Sequence, residues 1–135
     1  MKEITVEANI DNLSKVICFI NDELSHYNCH PDTLNDINAA VEEIFVNIAK
    51  YAYEATEGKA VIGITPGTET IIRFEDSGRF FSPLEKSAPD FSKPPVEREI
   101  GGLGVYLVRK LMDEVDYSRI NNKNVLVMKK RLVII

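Results

Sequence analysis

Apolar residues follow strand-like and helix-like periods through the first half of the chain. Residues 3–8 alternate apolar and polar side chains, which predicts a strand with one buried face. Apolar residues then recur every three to four positions to about Tyr27, which predicts a helix that Asp11 or Asn12 can cap. A second helical period runs from Pro31 to about Tyr53.

The second half of the chain contains two strand pairs separated by an irregular segment. Residues 79–100 show neither a helical nor a strand period and hold four of the six prolines, which is typical of a long functional loop. After a glycine cluster, an amphipathic helix is predicted over residues 105–113. The strands are predicted as two hairpins, 59–65 with 70–75 and 115–120 with 125–132.

The order of these elements, strand–helix–helix–hairpin–loop–helix–hairpin, indicates the fold class. Contiguous strand pairs joined by tight turns favour a mixed, mostly antiparallel sheet. Three helices on one face of that sheet would give an α/β (α+β) two-layer sandwich. The chain has no internal repeat and no linker that divides it, so we expect residues 1–135 to form a single domain.

Composition and charge narrow the class of function. The 135-residue chain is 44% hydrophobic and 27% charged, and its net charge of −5 argues against an electrostatic nucleic-acid binder. We find no signal peptide and no apolar run that approaches a membrane span, so a cytoplasmic protein without membrane contact is expected. Cys18 and Cys29 are expected to be free thiols, with Cys18 a core residue of a helix, and His26 and His30 are expected to be structural or surface residues.

The long second helix carries the first candidate site. Glu43 and Asn47 lie four residues apart on the flank of an apolar stripe, so they share one side of the helix. A carboxylate and a carboxamide in this arrangement can supply a proton acceptor and an oxygen ligand for a hard cation. The alternative is a helix with an ordinary charged, solvated edge.

The second candidate is Asp76-Ser77-Gly78, at the end of a predicted strand. A buried carboxylate there can accept a hydrogen bond from an exocyclic amine, such as that of adenine. Gly78 would let a flat ring lie against the backbone. The alternative for this tripeptide, taken alone, is a plain turn.

The third candidate is Gly101-Gly102-Leu103-Gly104, at the start of a predicted helix. Free backbone N–H groups and the helix dipole make such an end an anion site, and glycines allow a phosphate to approach closely. The alternative is a flexible hinge. The cluster is not a Walker loop, because no Gly-Lys-Ser/Thr follows, and it is not a Rossmann fingerprint, because it does not follow a strand.

The order and spacing of these three features resemble the ATP-binding boxes of the superfamily that contains gyrase, Hsp90, the histidine kinases and MutL (GHKL). Within it, the chain most resembles the anti-sigma-factor serine/threonine kinases. Residues 97–115 look like the second glycine box and following helix of that group, and residues 78–84 are similar to its Gly-x-Pro-Phe-Asp-Pro-Leu stretch. The resemblance extends from the first strand to Leu132.

The resemblance implies a fold, two cofactors and a set of residue roles. The fold would be the Bergerat ATP-binding sandwich, with ATP and Mg²⁺ bound and residues 79–100 forming an ATP lid. The implied roles are Glu43 as general base, Arg98 as the group that neutralises γ-phosphate charge, Asn47 as the Mg²⁺ ligand, Asp76 and Gly78 as adenine contacts, and Gly101, Gly102, Leu103 and Gly104 as the loop around the phosphates.

Three positions depart from the family pattern. Phe80 replaces the second glycine of Asp-x-Gly-x-Gly, a glycine that the anti-sigma kinases often lack as well. Tyr51 stands where a histidine often follows the asparagine box. Val127 lies near the usual position of a threonine that helps bind adenine, so nucleotide affinity would fall unless a bound water replaces that contact.

Two kinds of function follow from the resemblance. The first is an ATP-dependent anti-sigma factor that acts as a serine/threonine protein kinase on a STAS-type anti-sigma antagonist and sequesters a sigma factor in bacterial partner switching. The second is a nucleotide-binding regulatory module without significant kinase activity, which the departures at Tyr51 and Val127 motivate. A histidine kinase is rejected, since neither histidine lies in a dimerisation-helix context. Relatives of this type often form homodimers.

Overall fold

The computed structural model describes residues 1–53, 57–79 and 102–135. The elements within these ranges follow the predicted order. The strands are β1 (Lys2–Glu7), β2 (Lys59–Thr65), β3 (Glu69–Asp76), β4 (Glu114–Ile120) and β5 (Lys123–Arg131). The helices are α1 (Leu13–Leu24), α2 (Pro31–Asn47) and α3 (Gly102–Leu111), with a 3₁₀ turn (Ile10–Asn12) before α1 and a π-helical turn (Ile48–Ala52) after α2.

The strands form one sheet in the order β1-β2-β3-β5-β4, and every pairing between the described strands is antiparallel. The sheet therefore belongs to the predicted, mostly antiparallel class. β3 lies at its centre, and the last residue of β3, Asp76, pairs with Ala60 of β2 and Asn124 of β5. This register brings the start of β5 beside the end of β3.

The core lies between the helices and one face of the sheet. Along β3, Ile72 and Phe74 are buried, whereas the alternating Ile71 and Arg73 are only partly buried. Apolar residues from all three helices join the same buried cluster, among them Ile20, Ile37, Phe45 and Val108. The structure thus confirms the two-layer α/β sandwich.

The start of the first helical segment differs from the predicted cap. Asn12 occupies the N-cap position of α1, but its side chain forms no capping hydrogen bond. Asn9 caps the preceding 3₁₀ turn, because its side-chain oxygen accepts a hydrogen bond from the Asp11 N–H at 2.9 Å. The Asn12 side chain instead donates to the Glu7 carbonyl at 2.9 Å. That bond connects the 3₁₀ turn to the end of β1, so Asn12 stabilises the connection between β1 and α1.

The structure agrees with the predicted free thiols and with structural or surface histidines, whereas the prediction that Cys18 is a core residue of a helix is wrong. His30 caps α2, because its Nδ1 accepts a hydrogen bond from the Asp32 N–H at 3.1 Å, so its role is structural. Cys18 is exposed and Cys29 partly buried, and both are free thiols. Among the described residues, no helix is long and apolar enough to cross a membrane.

The turn between β4 and β5 fixes the register of the last hairpin. Asn121 and Asn122 adopt positive φ angles of 52° and 61°, a left-handed conformation that asparagine tolerates well. Two-residue turns of this kind match the twist of antiparallel strands. The turn sets Asn124 opposite Arg119 of β4, while on its other side Asn124 pairs with Asp76.

Candidate functional site

α2 presents Glu43 and Asn47 one turn apart, as predicted, and both residues are partly buried. The Nδ2 atom of Asn47 is buried and has no hydrogen-bond partner in the part of the chain that the structure describes. A buried amide without a partner is energetically costly, which points to a missing ligand, ion or water. A half-turn of the amide would put Oδ1 in its place, so the position can offer a donor to a phosphate or an oxygen to a cation.

The Glu43 carboxylate also lacks a partner among the described residues. It forms no hydrogen bond or ion pair with any residue of 1–53, 57–79 or 106–135. The adjacent Glu42 is exposed to solvent, whereas Glu43 is partly buried on the side of α2 that carries Asn47. A partly buried carboxylate without a partner can accept a proton from a bound hydroxyl.

The helix that carries this pair changes geometry directly after Asn47. The α-helix ends at Asn47, and the chain continues as the π-helical turn to Ala52. The predicted helix, extending to about Tyr53, included this turn. Wider helical turns of this type are frequent at functional sites, because they re-aim the groups around them.

Asp76 ends β3 as a buried carboxylate, with only 5% of its surface exposed. Its Oδ1 atom accepts two hydrogen bonds, from the Gly78 N–H at 2.9 Å and from Nδ2 of Asn124 at 3.0 Å. Neither bond uses the second oxygen, Oδ2. The predicted exocyclic-amine acceptor is therefore buried and oriented by its neighbours.

Opposing influences act on the charge of Asp76. Burial is the largest, and it raises the pKa of the carboxyl above its usual value, because a charged group is costly away from water. The hydrogen bonds from Asn124 and Gly78 and the positive charge of Arg119 act in the opposite direction and lower the pKa. Glu75 raises it slightly further.

Asn124, on β5, is the central polar residue beside Asp76, with 6% of its surface exposed. Its Nδ2 donates to Oδ1 of Asp76 and, at 2.7 Å, to the Arg79 carbonyl. Its Oδ1 accepts from the Tyr117 hydroxyl at 2.6 Å and from Nη1 of Arg119 at 3.0 Å. The amide therefore links the end of β3 to the edge strand β4.

Val127 does not occupy the place beside Asp76 that the family comparison suggested. It pairs with Arg73 of β3 and Asp116 of β4, three residues along β5 from Asn124. Because side chains alternate along a strand, Val127 lies on the opposite face of the sheet from Asp76 and Asn124. The β5 residue that contacts Asp76 is Asn124, so the predicted placement of Val127 near the adenine contact is wrong, and the lower nucleotide affinity stays a prediction.

Gly78 joins the Asp76 end of the site to the end of α2. Gly78 is buried, and a Cβ atom at this position would overlap the carbonyl and side chain of Ala52. Arg79 strengthens the junction: its N–H donates to the Ala52 carbonyl at 2.9 Å, and its Nε donates to the Tyr51 carbonyl at 2.8 Å. Two of the predicted features, the helix with Asn47 and Asp76-Ser77-Gly78, are thus in direct contact.

Tyr53 holds the same region from the other side. Its hydroxyl donates to the Lys59 carbonyl at 2.6 Å and accepts from the Ser77 N–H at 2.8 Å. Its ring occupies the space that a Cβ atom on Gly58 would need. These contacts connect the segment after α2 to the start of β2 and the end of β3.

The glycine cluster lies partly outside the described residues. α3 begins at Gly102, which agrees with a helix start in the predicted cluster, and α3 packs against α2. Arg98, Gly101 and most of the predicted lid, residues 80–100, are outside the described ranges. The roles predicted for Arg98, Gly101, Gly102, Leu103 and Gly104 remain predictions.

Sequence reasoning missed Asn124, Arg119 and Tyr53. An asparagine two residues after an Asn-Asn turn is a weak signal, because its importance depends on the pairing of β3 with β5, 48 residues apart. The role of Arg119 also depends on a contact between distant residues, because its Nη1 donates to the Gly78 carbonyl at 2.9 Å across the sheet. Tyr53 lies at the predicted helix end, where no local pattern indicates the partners of its hydroxyl.

Comparisons with known proteins agree with this fold. A family model described as a histidine kinase-like ATPase domain matches residues 6–130. The chain is 33% identical over 110 residues to the serine-protein kinase RsbW of Oceanobacillus iheyensis, an alignment that covers 76% of this chain and 67% of the relative. It is 31% identical over 103 residues to the serine-protein kinase RsbW of a Bacillus cereus strain, covering 73% of this chain and 64% of the relative.

The chain thus aligns with about two thirds of the length of these relatives. A solved structure of the RsbU and RsbW domains of a Mycobacterium tuberculosis protein superposes with a TM-score of 0.62, covering 98% of this chain and 33% of that chain. At 13% identity, this likeness supports the fold alone. The chain belongs to the histidine kinase-like ATPase domain family, in the group of the anti-sigma-factor serine/threonine kinases.

Proposed function

We propose that this protein binds ATP with Mg²⁺ and acts as a serine/threonine protein kinase. Its substrate would be a STAS-type anti-sigma antagonist, and it would also sequester a sigma factor in a bacterial partner-switching pathway. Support for the kinase activity comes from relatives named serine-protein kinases that are 31% and 33% identical to the chain. A homodimer is proposed on the same family resemblance.

The observation that carries the proposal is the junction of the two predicted boxes. Gly78 packs against the end of the π-helical turn that follows Asn47, so the Asp76 region and the α2 flank border one site. A nucleotide needs a polar acceptor for its base and, at some distance, groups that hold charged phosphates. Asp76 at one end and the unpartnered Asn47 amide at the other fit that division.

The residues fit a magnesium ion held mainly by phosphates. Mg²⁺ usually keeps several waters and takes one or two protein oxygens, so a single carboxamide is an adequate protein ligand. Asn47 would supply that oxygen from its orphaned, buried amide. Among the described residues there is no cluster of three or more His, Cys, Asp or Glu. When bound, the ion would offset the negative charge of the phosphates.

Glu43 is the proposed general base. Its carboxylate would accept the proton of a substrate serine hydroxyl while the serine oxygen forms a bond to the γ-phosphorus. The bond from the γ-phosphorus to the β–γ bridging oxygen breaks in the same transfer, and ADP leaves with the electron pair. Arg98 and the loop of Gly101, Gly102, Leu103 and Gly104 are proposed to stabilise the phosphate charge.

The second candidate function is a nucleotide-binding module that sequesters a partner without significant kinase activity. Two observations favour it. Tyr51 replaces the histidine common in the family, and Glu43 has no described neighbour that orients it as a base. Because catalytic hydrogen bonds often form only with substrate bound, the free carboxylate suits both candidates.

Phosphate transfer to the cognate antagonist distinguishes the two functions. With γ-labelled ATP, we expect label on an antagonist serine, and Glu43→Gln should reduce the rate by about 100-fold or more, in the range for loss of a general base. Glu42→Gln removes the exposed neighbouring carboxylate and should leave the rate unchanged. Titration of ATP into Glu43→Gln should show retained binding.

The outcomes separate clearly. Transfer that survives Glu43→Gln would reject Glu43 as the base. No transfer by the wild type, with ATP binding intact, would favour the binding module. No ATP binding by the wild type would reject both candidate functions.

A further inference from the structure

The amide of Asn124 is fully engaged in hydrogen bonds. Both acceptor positions of its oxygen are taken, by the Tyr117 hydroxyl and by Nη1 of Arg119. Both N–H groups of Nδ2 donate, to Oδ1 of Asp76 and to the Arg79 carbonyl. An amide with four partners in a buried position is held in one orientation.

Arg119 determines which way the amide faces. A guanidinium has donors only, so it must meet the oxygen of Asn124 and not the nitrogen. Nη1 of Arg119 also donates to the Gly78 carbonyl at 2.9 Å, which fixes the guanidinium between the two. The NH₂ group of Asn124 therefore points at Asp76, and a flip of the amide would set donor against donor.

This arrangement makes the two oxygens of Asp76 unequal. Oδ1 accepts from the Gly78 N–H and from Asn124, whereas neither bond reaches Oδ2. The titratable and charged groups near the carboxylate come from several elements: Glu75 on β3, Tyr53 after α2, Arg119 on β4 and Lys123 on β5. Tyr117 on β4 contacts Asn124. Two donors on Oδ1 favour the ionised carboxylate, in which Oδ2 is an acceptor.

We propose that Asn124 is a positioning residue for base selection: it holds Oδ1 of Asp76 so that Oδ2 accepts from a 6-amino purine and rejects a 6-oxo purine. The inference rests on the proposed nucleotide site. A 6-oxo purine presents a carbonyl where adenine presents an amino group, and an ionised carboxylate offers it no donor. Sites built to pair one polar group discriminate strongly against a base that leaves the pair unmade.

The test compares ATP with inosine triphosphate, which share sugar and phosphates and differ at the 6-position. Binding to the full chain is measured by calorimetric titration with Mg²⁺. We expect the wild type to prefer ATP by about tenfold or more, in the range for one charged hydrogen bond. Asn124→Ala should reduce that preference to about threefold or less, since one donor to Oδ1 is lost.

Asn124→Asp gives a readout that a merely structural role would not produce. At about pH 5.5 the paired carboxyls can share a proton, which recreates a donor toward Oδ1 of Asp76 and preserves the ATP preference. At about pH 8 both would be ionised and repel, so the preference should be lost there. The preference of the wild type should change less between these pH values than that of Asn124→Asp. Asn122→Asp adds the same charge in the exposed β4–β5 turn and should behave like the wild type.

Two results would overturn the inference while leaving the proposed function intact. One is a wild type that binds ATP and inosine triphosphate equally well. The other is an unchanged, pH-independent preference in both Asn124 variants. If those variants do not fold, Tyr117→Phe removes one donor to Oδ1 of Asn124 and should lower the preference about threefold, and an unchanged preference would again overturn it. A wild type that binds neither nucleotide would overturn the proposed function itself.

Discussion

The two ends of the candidate site are built in opposite ways. At the sheet end, Oδ1 of Asp76 and all four hydrogen-bonding positions of Asn124 are occupied by protein groups. On α2, Glu43 and the Nδ2 atom of Asn47 have no partner among the described residues. The first end is oriented by the protein itself, whereas the second could be completed by the proposed nucleotide phosphates and Mg²⁺. Preorganisation of this kind favours selection at the first end and adaptable charge binding at the second.

The largest loss of stability and ATP affinity is expected from a substitution at the contact between the two ends of the site. Gly78→Ala places a methyl group against the Ala52 carbonyl, so the loop or the π-helical turn must move. We expect a loss of about 1–3 kcal/mol in the free energy of unfolding, the range for overpacking, together with weaker ATP binding. Urea denaturation measures the first effect, and titration measures the second.

Gly67→Ala is the matched control for this substitution. At Gly67 an added Cβ would meet the Glu69 carbonyl oxygen at 3.6 Å, which is ordinary van der Waals contact. Stability should then change by about 0.5 kcal/mol or less. Equal effects of the two substitutions would show that the Gly78–Ala52 contact does not link the ends.

The second prediction separates folding from binding at the sheet end. Asp76→Asn keeps an oxygen that can accept from Gly78 and Asn124 but removes the charge, whose burial is unfavourable. Stability should therefore be retained or rise, while ATP affinity falls about 10- to 100-fold, in the range for a hydrogen bond to a charged group. Asp116→Asn, on the exposed edge strand, should change neither. Unchanged ATP affinity in Asp76→Asn would contradict the base-binding role.

The third prediction concerns the end of the site on α2, where Asn47 lies. Asn47→Ala removes a buried donor that has no partner, so stability should change by about 1 kcal/mol or less. ATP affinity measured with Mg²⁺ should fall about tenfold, and the gain in affinity that Mg²⁺ gives should disappear. Asn35→Ala, on an exposed position of α2, serves as the control. Mg²⁺-dependent binding that persists in Asn47→Ala would exclude this residue as the ligand.

The smallest effect is a pH dependence of stability that originates at Asp76. Burial raises the pKa of this carboxyl in the folded protein above its unfolded value of about 3.8. The folded state therefore holds the proton more tightly, and this contribution to stability is full below the unfolded pKa and is lost as pH rises through the folded one. As pH falls toward 4, the melting temperature of the wild type should thus rise relative to that of Asp76→Asn. A difference that is constant with pH would contradict the raised pKa.

Much of the fold could be predicted because its signals are local. Alternation and helical periodicity located the strands and helices, and the i, i+4 spacing placed Glu43 and Asn47 on one side of α2. Asp76-Ser77-Gly78 was recognised because it follows a strand directly. The capping hydrogen bond was harder to predict from the sequence. Asn9 forms it at the 3₁₀ turn, because the Asn12 side chain bonds to the Glu7 carbonyl at the end of β1.

The rest of the site depends on contacts between distant segments. The prediction at Val127 failed because a shift of three residues along β5 moves a side chain to the other face of the sheet. Which residue of β5 meets Asp76 follows from the register of β3 with β5, and that register has no local signature. The contacts of Asn124 and Arg119 could be identified only once the pairing of β5 with β3 and β4 was known.

The network around Asp76 also bears on the order in which the protein folds. The bond between Asp76 and Asn124 spans 48 residues of chain, and the one from Arg119 to Gly78 spans 41. Contacts of such high sequence separation require closure of long loops, so we expect them to form after the local helices and hairpins. The end proposed to bind the base would then be complete only in molecules whose sheet is fully assembled. A purine that binds there would act as a probe of complete folding, and would shift the equilibrium toward that state by mass action.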